Sequence, residues 1–130
     1  VTTHNAHSRL GKQLLGKQFL GVFSSDYKPP AKRGNSYFII NVDGSSKPGS
    51  HWLAAAKLAS QEGSRFIIYD SFARKSKRLI PNFIKTLKDL EYVDINSKSD
   101  QQVHEDNCGQ RSLAFLVFLK KHGLEAAREI

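Results

Sequence analysis

The sequence predicts an α+β fold: a small mixed or antiparallel sheet packed on a central buried helix that carries the single cysteine at its N-terminus. Three observations lead there. Segments suited to strands fall close together in mid-chain, at residues 37–42, 51–58 and 65–70, and the first and third are rich in β-branched and aromatic side chains. Residues 79–90 have the spacing of an amphipathic helix. Residues 108–122 are apolar nearly all round, as a buried helix should be. The chain has 130 residues, enough for one domain with a real core, and it contains no internal repeat.

Each element has a local reason. Residues 1–7 are polar and read as loose, with His4 and His7 solvated. Ser8 can cap a short helix running to Lys17, with Leu10, Leu14 and Leu15 on one side, although Gly11 and Gly16 weaken it. Phe19 to Phe23 is an apolar irregular segment or short strand. Residues 24–36 contain Pro29, Pro30 and Gly34 and read as a surface loop. The strand at 37–42 is followed by a turn-rich connector over 43–50. The alanines of the segment 51–58 permit a helix, but the preceding Gly49-Ser50 and the short length favour a strand. Ser60 to Ser64 is a hairpin turn, and 65–70 returns antiparallel. In the helix at 79–90, Ile80, Phe83, Ile84, Leu87 and Leu90 share a face, and Pro81 suits the first turn. Residues 91–95 form a short strand, 96–106 a polar loop. The final long helix stops at Gly123, and a last short helix follows.

Composition narrows the class. Hydrophobic content of 39% and charged content of 25% are ordinary for a globular protein. No apolar run reaches bilayer length and no signal-peptide pattern is present, so no membrane association is expected. One cysteine forms no internal disulfide, and no Cys pair suggests zinc. The expected compartment is therefore a reducing one, and no metal is expected. The formal net charge of +8 favours contact with polyanions. The lack of Met suggests that an initiator residue or a longer precursor segment lies outside this sequence.

The chemistry gathers around Cys108. It sits where a polar loop becomes the apolar helix, with Asp106 or Asn107 able to cap that helix. In the first turn, unpaired amides and the positive end of the helix dipole favour a thiolate. Gly109 leaves room for a substrate backbone. The hairpin turn near residues 60–62 brings residues 70–73 opposite His51, so Asp70 can reach His51. A thiol attacks a carbonyl well when a base holds its proton and a partner fixes that base's tautomer. Cys108, His51 and Asp70 supply these roles. Gln102 can donate its side-chain amide to the oxyanion of the tetrahedral intermediate, with the Cys108 backbone N–H as a second donor.

His51-Trp52, then Tyr69-Asp70-Ser71-Phe72, then Gln102 five residues before Cys108-Gly109 resembles the adenain-like and SUMO-deconjugating cysteine proteases. The order His, Asp, Gln, Cys is the family's, whereas papain-like enzymes place Cys first. The resemblance covers roughly residues 19–122, including Phe19-Leu20-Gly21. It implies His51 as general base and acid, Asp70 as its orienting partner, Gln102 as oxyanion donor and Cys108 as nucleophile. Gln101 is a rival for Gln102. Trp52 resembles the family's aromatic beside the catalytic pair and, with Gly109, is the expected substrate-binding position.

The resemblance further implies cleavage after Gly, in Gly-Gly or Gly-Ala sites of viral structural precursors, inside a virion or host cell. The short chain suggests a viral element such as a virophage or a related small DNA virus, and a monomer is expected. A ubiquitin-like modifier is the alternative substrate. The adenovirus member holds an activating peptide through a second cysteine. Here no second cysteine exists, so a peptide activator would bind noncovalently. No cofactor is expected, with DNA a further candidate activator. Lys28, Lys32 and Arg33 in one loop and Arg74, Lys75, Lys77 and Arg78 in another are candidate contacts to DNA of any sequence. The competing class is a non-enzymatic basic nucleic-acid-binding module. A metal site from His51, Asp70, His104 and Cys108 lacks any paired-ligand spacing.

Overall fold

The computed structural model describes residues 4–24, 34–42, 51–61, 63–71, 73–87, 90–95 and 108–129, the side chains of residues 4–7 and 108 excepted. In chain order the elements are α1 (His4–Leu15), a 3-10 turn (Gly16–Gln18), β1 (Phe19–Ser24), β2 (Ser36–Asn41), β3 (Trp52–Ser60), β4 (Gly63–Tyr69), α2 (Ser76–Leu79), α3 (Pro81–Thr86), β5 (Glu91–Asp94) and α4 (Cys108–Arg128). The fold is α+β.

The five strands form one mixed sheet in the order β1-β2-β3-β4-β5. β2, β3 and β4 are antiparallel neighbours, whereas β1 runs parallel to β2 and β5 parallel to β4. The β4–β5 crossover is the α2–α3 segment, as a parallel connection requires. Helices cover both faces. All six residues of β2 are buried, which explains its continuous apolar run in place of alternation.

The two faces have separate cores. On one, Trp52, Ala54 and Ala56 of β3 and Tyr69 of β4 meet Leu113, Phe115 and Leu116 of α4, with Leu15 of α1 alongside. On the other, Phe38, Leu53, Phe66 and Ile68 meet Ile80, Phe83 and Leu87. The alanines of β3 thus lie in a strand, because burial between two helical layers outweighs alanine's helical preference. Tyr37 is buried in the first core, and that burial pushes its phenol up from the ordinary value, against the opposing hydrogen bond from the Asn35 side chain.

Several elements differ from their sequence expectation. The first helix begins at His4, not Ser8, so Ser8 lies inside it and does not cap it. Gly11 is not a weakness there. A Cβ at this position would come within 2.3 Å of the Phe19 ring, so glycine is what lets α1 lie against the start of β1. Leu10 and Leu14 are exposed, and of the predicted trio only Leu15 is buried. Phe19 to Ser24 is a full strand, with a register shift between Phe19 and Gly21. The predicted helix at 79–90 is realised as α3 over Pro81–Thr86, and a separate short helix, α2, precedes it within the basic run and ends at Leu79, with the break at Ile80 (φ −133°, ψ 59°). Pro81 forces that break: its ring disfavours helical backbone in the preceding residue, while suiting the first position of α3. Leu90 is exposed, away from the face it was expected to share. The long helix does stop at Gly123, whose φ of 85° and ψ of 174° separate a short final helix. No helix among the described residues is long and apolar enough to cross a membrane.

Candidate active site

His51 immediately precedes β3, and Asp70 immediately follows β4. The hairpin register pairs Ser60 with Gly63 and Ala54 with Tyr69, which brings the two residues together at the far end from the turn. His51 Nε2–H donates to Asp70 Oδ1. Both residues are buried, the Asp70 side chain to 2% exposure. This bond selects the imidazole tautomer protonated at Nε2, which leaves proton transfer to Nδ1.

A buried carboxylate is costly unless several donors meet it. Asp70 has them. Its Oδ2 accepts from the Arg74 backbone N–H at 3.0 Å and from Arg74 Nε–H at 3.0 Å. The Asp70 carbonyl also accepts from the Ala73 N–H at 2.9 Å. Ala73 has a φ of 60°, in the left-handed region, and turns the chain so that Arg74 comes back to the carboxylate.

α4 grips the residues next to this pair. Ser112 Oγ donates to the carbonyl of Trp52, the neighbour of His51, at 3.2 Å. The Phe115 ring stacks on Tyr69, the neighbour of Asp70, at 4.4 Å and 8°. Just past the break at Gly123 that ends the long helix, Leu124 lines one pocket with Leu58 and Ala59 near the hairpin turn. α4 therefore runs along β3 with its N-terminus at the His51–Asp70 end. Cys108 is the first residue of α4, four residues before Ser112 and about 6 Å from it along the axis. Gly109 is buried beside it in the first turn.

The remaining predicted positions divide. Gln102 and Gln101 lie outside the described residues, as do His104, Lys28, Lys32 and Arg33. Trp52 is 5% exposed, and its side chain belongs to the α4-side core. Arg74, Lys75, Lys77 and Arg78 are exposed and run from the end of the Asp70 turn through α2. Three contributors escaped the sequence reading: Ser112, the Tyr69–Phe115 stack, and the attachment of Arg74 to Asp70. The four-residue spacing of Asp70 and Arg74 is no signal by itself, because such spacing brings side chains together on a helix and residues 70, 71 and 73–75 are not helical.

Among the described residues, no group of three or more His, Cys, Asp or Glu side chains is placed to hold a metal ion. The pair can hold and relay a proton, and α4 begins at the same end of the sheet. Neither a known protein-family model nor a curated protein matches this chain.

Proposed function

We propose that this chain is a cysteine endopeptidase in which Cys108 is the nucleophile, His51 the base and acid, and Asp70 the group that orients His51. One observation carries the reading. The buried, bonded His51–Asp70 pair and the start of the helix headed by Cys108 occupy the same end of the sheet. The resemblance of the His51-Trp52, Tyr69-Asp70 and Gln102-to-Cys108 segments to adenain-like proteases supports the same roles.

The reaction proceeds in two acyl transfers. The Cys108 thiol gives its proton to His51 Nδ1, and the sulfur attacks the scissile carbonyl carbon. The oxyanion that forms is held by the Gln102 side-chain amide and the Cys108 N–H. Collapse breaks the C–N bond, and the imidazolium gives its proton to the leaving amine. Water, deprotonated by His51, then attacks the thioester and releases the acid and the thiol. Asp70 stays ionised throughout and stabilises the imidazolium.

The substrates we propose are viral precursor proteins with Gly before the scissile bond. Exposed Lys75, Lys77 and Arg78 beside the site would add sequence-independent attraction to nucleic acid. Digestion of a peptide library carrying Gly-Gly and Gly-Ala junctions, read by mass spectrometry, tests the activity. Cleavage after Gly that stops when Cys108 is alkylated supports the proposal. Cleavage that survives alkylation, or none under reducing conditions, rejects it.

A further inference from the structure

The geometry points to Arg74 as a positioning residue that holds the orienting carboxylate of Asp70 in place, an inference that rests on the proposed peptidase reading. The two oxygens of Asp70 have separate duties. Oδ1 accepts from His51 Nε2–H, and Oδ2 accepts from Arg74 twice, through its backbone N–H and its Nε–H, each at 3.0 Å. A carboxylate with one engaged oxygen can swing about its Cβ–Cγ bond. Fixing the second oxygen fixes the plane of the group, and with it the direction from which His51 is gripped.

The backbone is bent to make this contact. Ala73 adopts a φ of 60°, a conformation that costs a side-chain-bearing residue free energy, and its N–H closes a tight turn onto the Asp70 carbonyl. The turn returns the next residue, Arg74, to the carboxylate four positions back. Composition alone places Arg74 in a solvated basic run with Lys75, Lys77 and Arg78. Its own side chain is 44% exposed, yet its Nε–H points to an oxygen of a carboxylate only 2% exposed. Arg74 thus reaches from the surface to the buried centre and acts on the reaction through Asp70.

Five variants of the whole chain test this: Arg74→Ala, Arg74→Lys, Asp70→Asn, the double variant Arg74→Ala with Asp70→Asn, and Cys108→Ala as the control for the peptidase reading. Arg74→Ala is expected to lower kcat by about 10-fold with KM unchanged, as loss of one fixed orienting contact does. Arg74→Lys, which keeps a cationic side-chain donor where alanine has none, is expected to recover part of that loss. In the Asp70→Asn background, Arg74→Ala is expected to change kcat by less than about twofold, because residues acting as a unit are not additive. A readout free of activity is the downfield proton resonance of His51 Nε2–H. It should persist in Cys108→Ala and broaden or vanish in Arg74→Ala, as in Asp70→Asn. Equal losses in both Asp70 backgrounds, a rise in KM alone, or an unchanged His51 resonance would overturn the role. Failure of the peptidase reading would show separately, as activity retained by Cys108→Ala, and would leave the resonance test standing.

Discussion

Ser112→Ala separates the packing of α4 from its proposed chemistry. Ser112 is fully buried, and its hydroxyl bonds the carbonyl of Trp52, next to His51. A net contribution of about 1 kcal/mol is typical of such a bond. Unfolding entropy near 60 °C is roughly 2.1 cal/mol/K per residue, so 130 residues give about 270 cal/mol/K. Dividing the first figure by the second gives a fall in Tm of about 4 °C. The change to alanine removes one oxygen and little volume, so the fold should survive. The functional effect should exceed the stability effect. Cys108 begins the same helix one turn earlier, and a displacement near 1 Å in reacting groups can cost about 10²-fold in rate. The assays are a thermal melt by circular dichroism and the peptidase rate on one Gly-Gly substrate. An unchanged Tm with full activity would show that this bond does not fix the helix on β3.

His51→Ala should be nearly as damaging to peptidase rate as loss of the thiol, whereas Asp70→Asn should lose less, because an orienting group is the most replaceable member of the unit. Full activity of His51→Ala in the same assay would remove His51 from the mechanism. Gln102→Ala should lower kcat by about 10²-fold with KM little changed, and Gln101→Ala should be mild. The reverse ranking would shift the oxyanion role by one residue. Tyr37 gives a pH test of the fold. Its phenol is raised above the ordinary 10.0 by burial, so the folded state holds that proton more tightly than the unfolded state. Its contribution to stability is whole below the unfolded value and falls as pH rises through the folded one. Urea midpoints on either side of pH 10 should therefore drop less for Tyr37→Phe than for the natural sequence.

The hairpin was legible because three local signals agree. The strand composition, the short turn at 60–63 and the distance from that turn to each strand end together put Asp70 against His51. The start of α4 and its stop at Gly123 were legible for the same reason, a polar loop on one side and glycine on the other. What the sequence hid depends on contacts between distant segments or on backbone that propensity disfavours. β1 becomes a strand only by pairing parallel with β2 across a long connection. Gly11 reads as a helix breaker until Phe19 is seen against it. Nothing in an alanine announces the left-handed turn at Ala73, so from the sequence Arg74 reads only as one of a run of basic residues offered to DNA. Trp52 resembles an aromatic packed beside a catalytic pair, and the pleat that alternates β3 side chains seats its ring in the core beneath α4, which the sequence alone does not show.

The most direct test of the central claim is the cleavage rate of Cys108→Ala on a peptide that the natural sequence cuts, measured beside a circular dichroism spectrum of each protein. A thiol-to-methyl change at the first residue of α4 removes the nucleophile and little else. The account predicts an unchanged spectrum and no detectable cleavage. Retention of even about one part in a hundred of the natural rate would contradict it, since removing a nucleophile costs far more than 10²-fold.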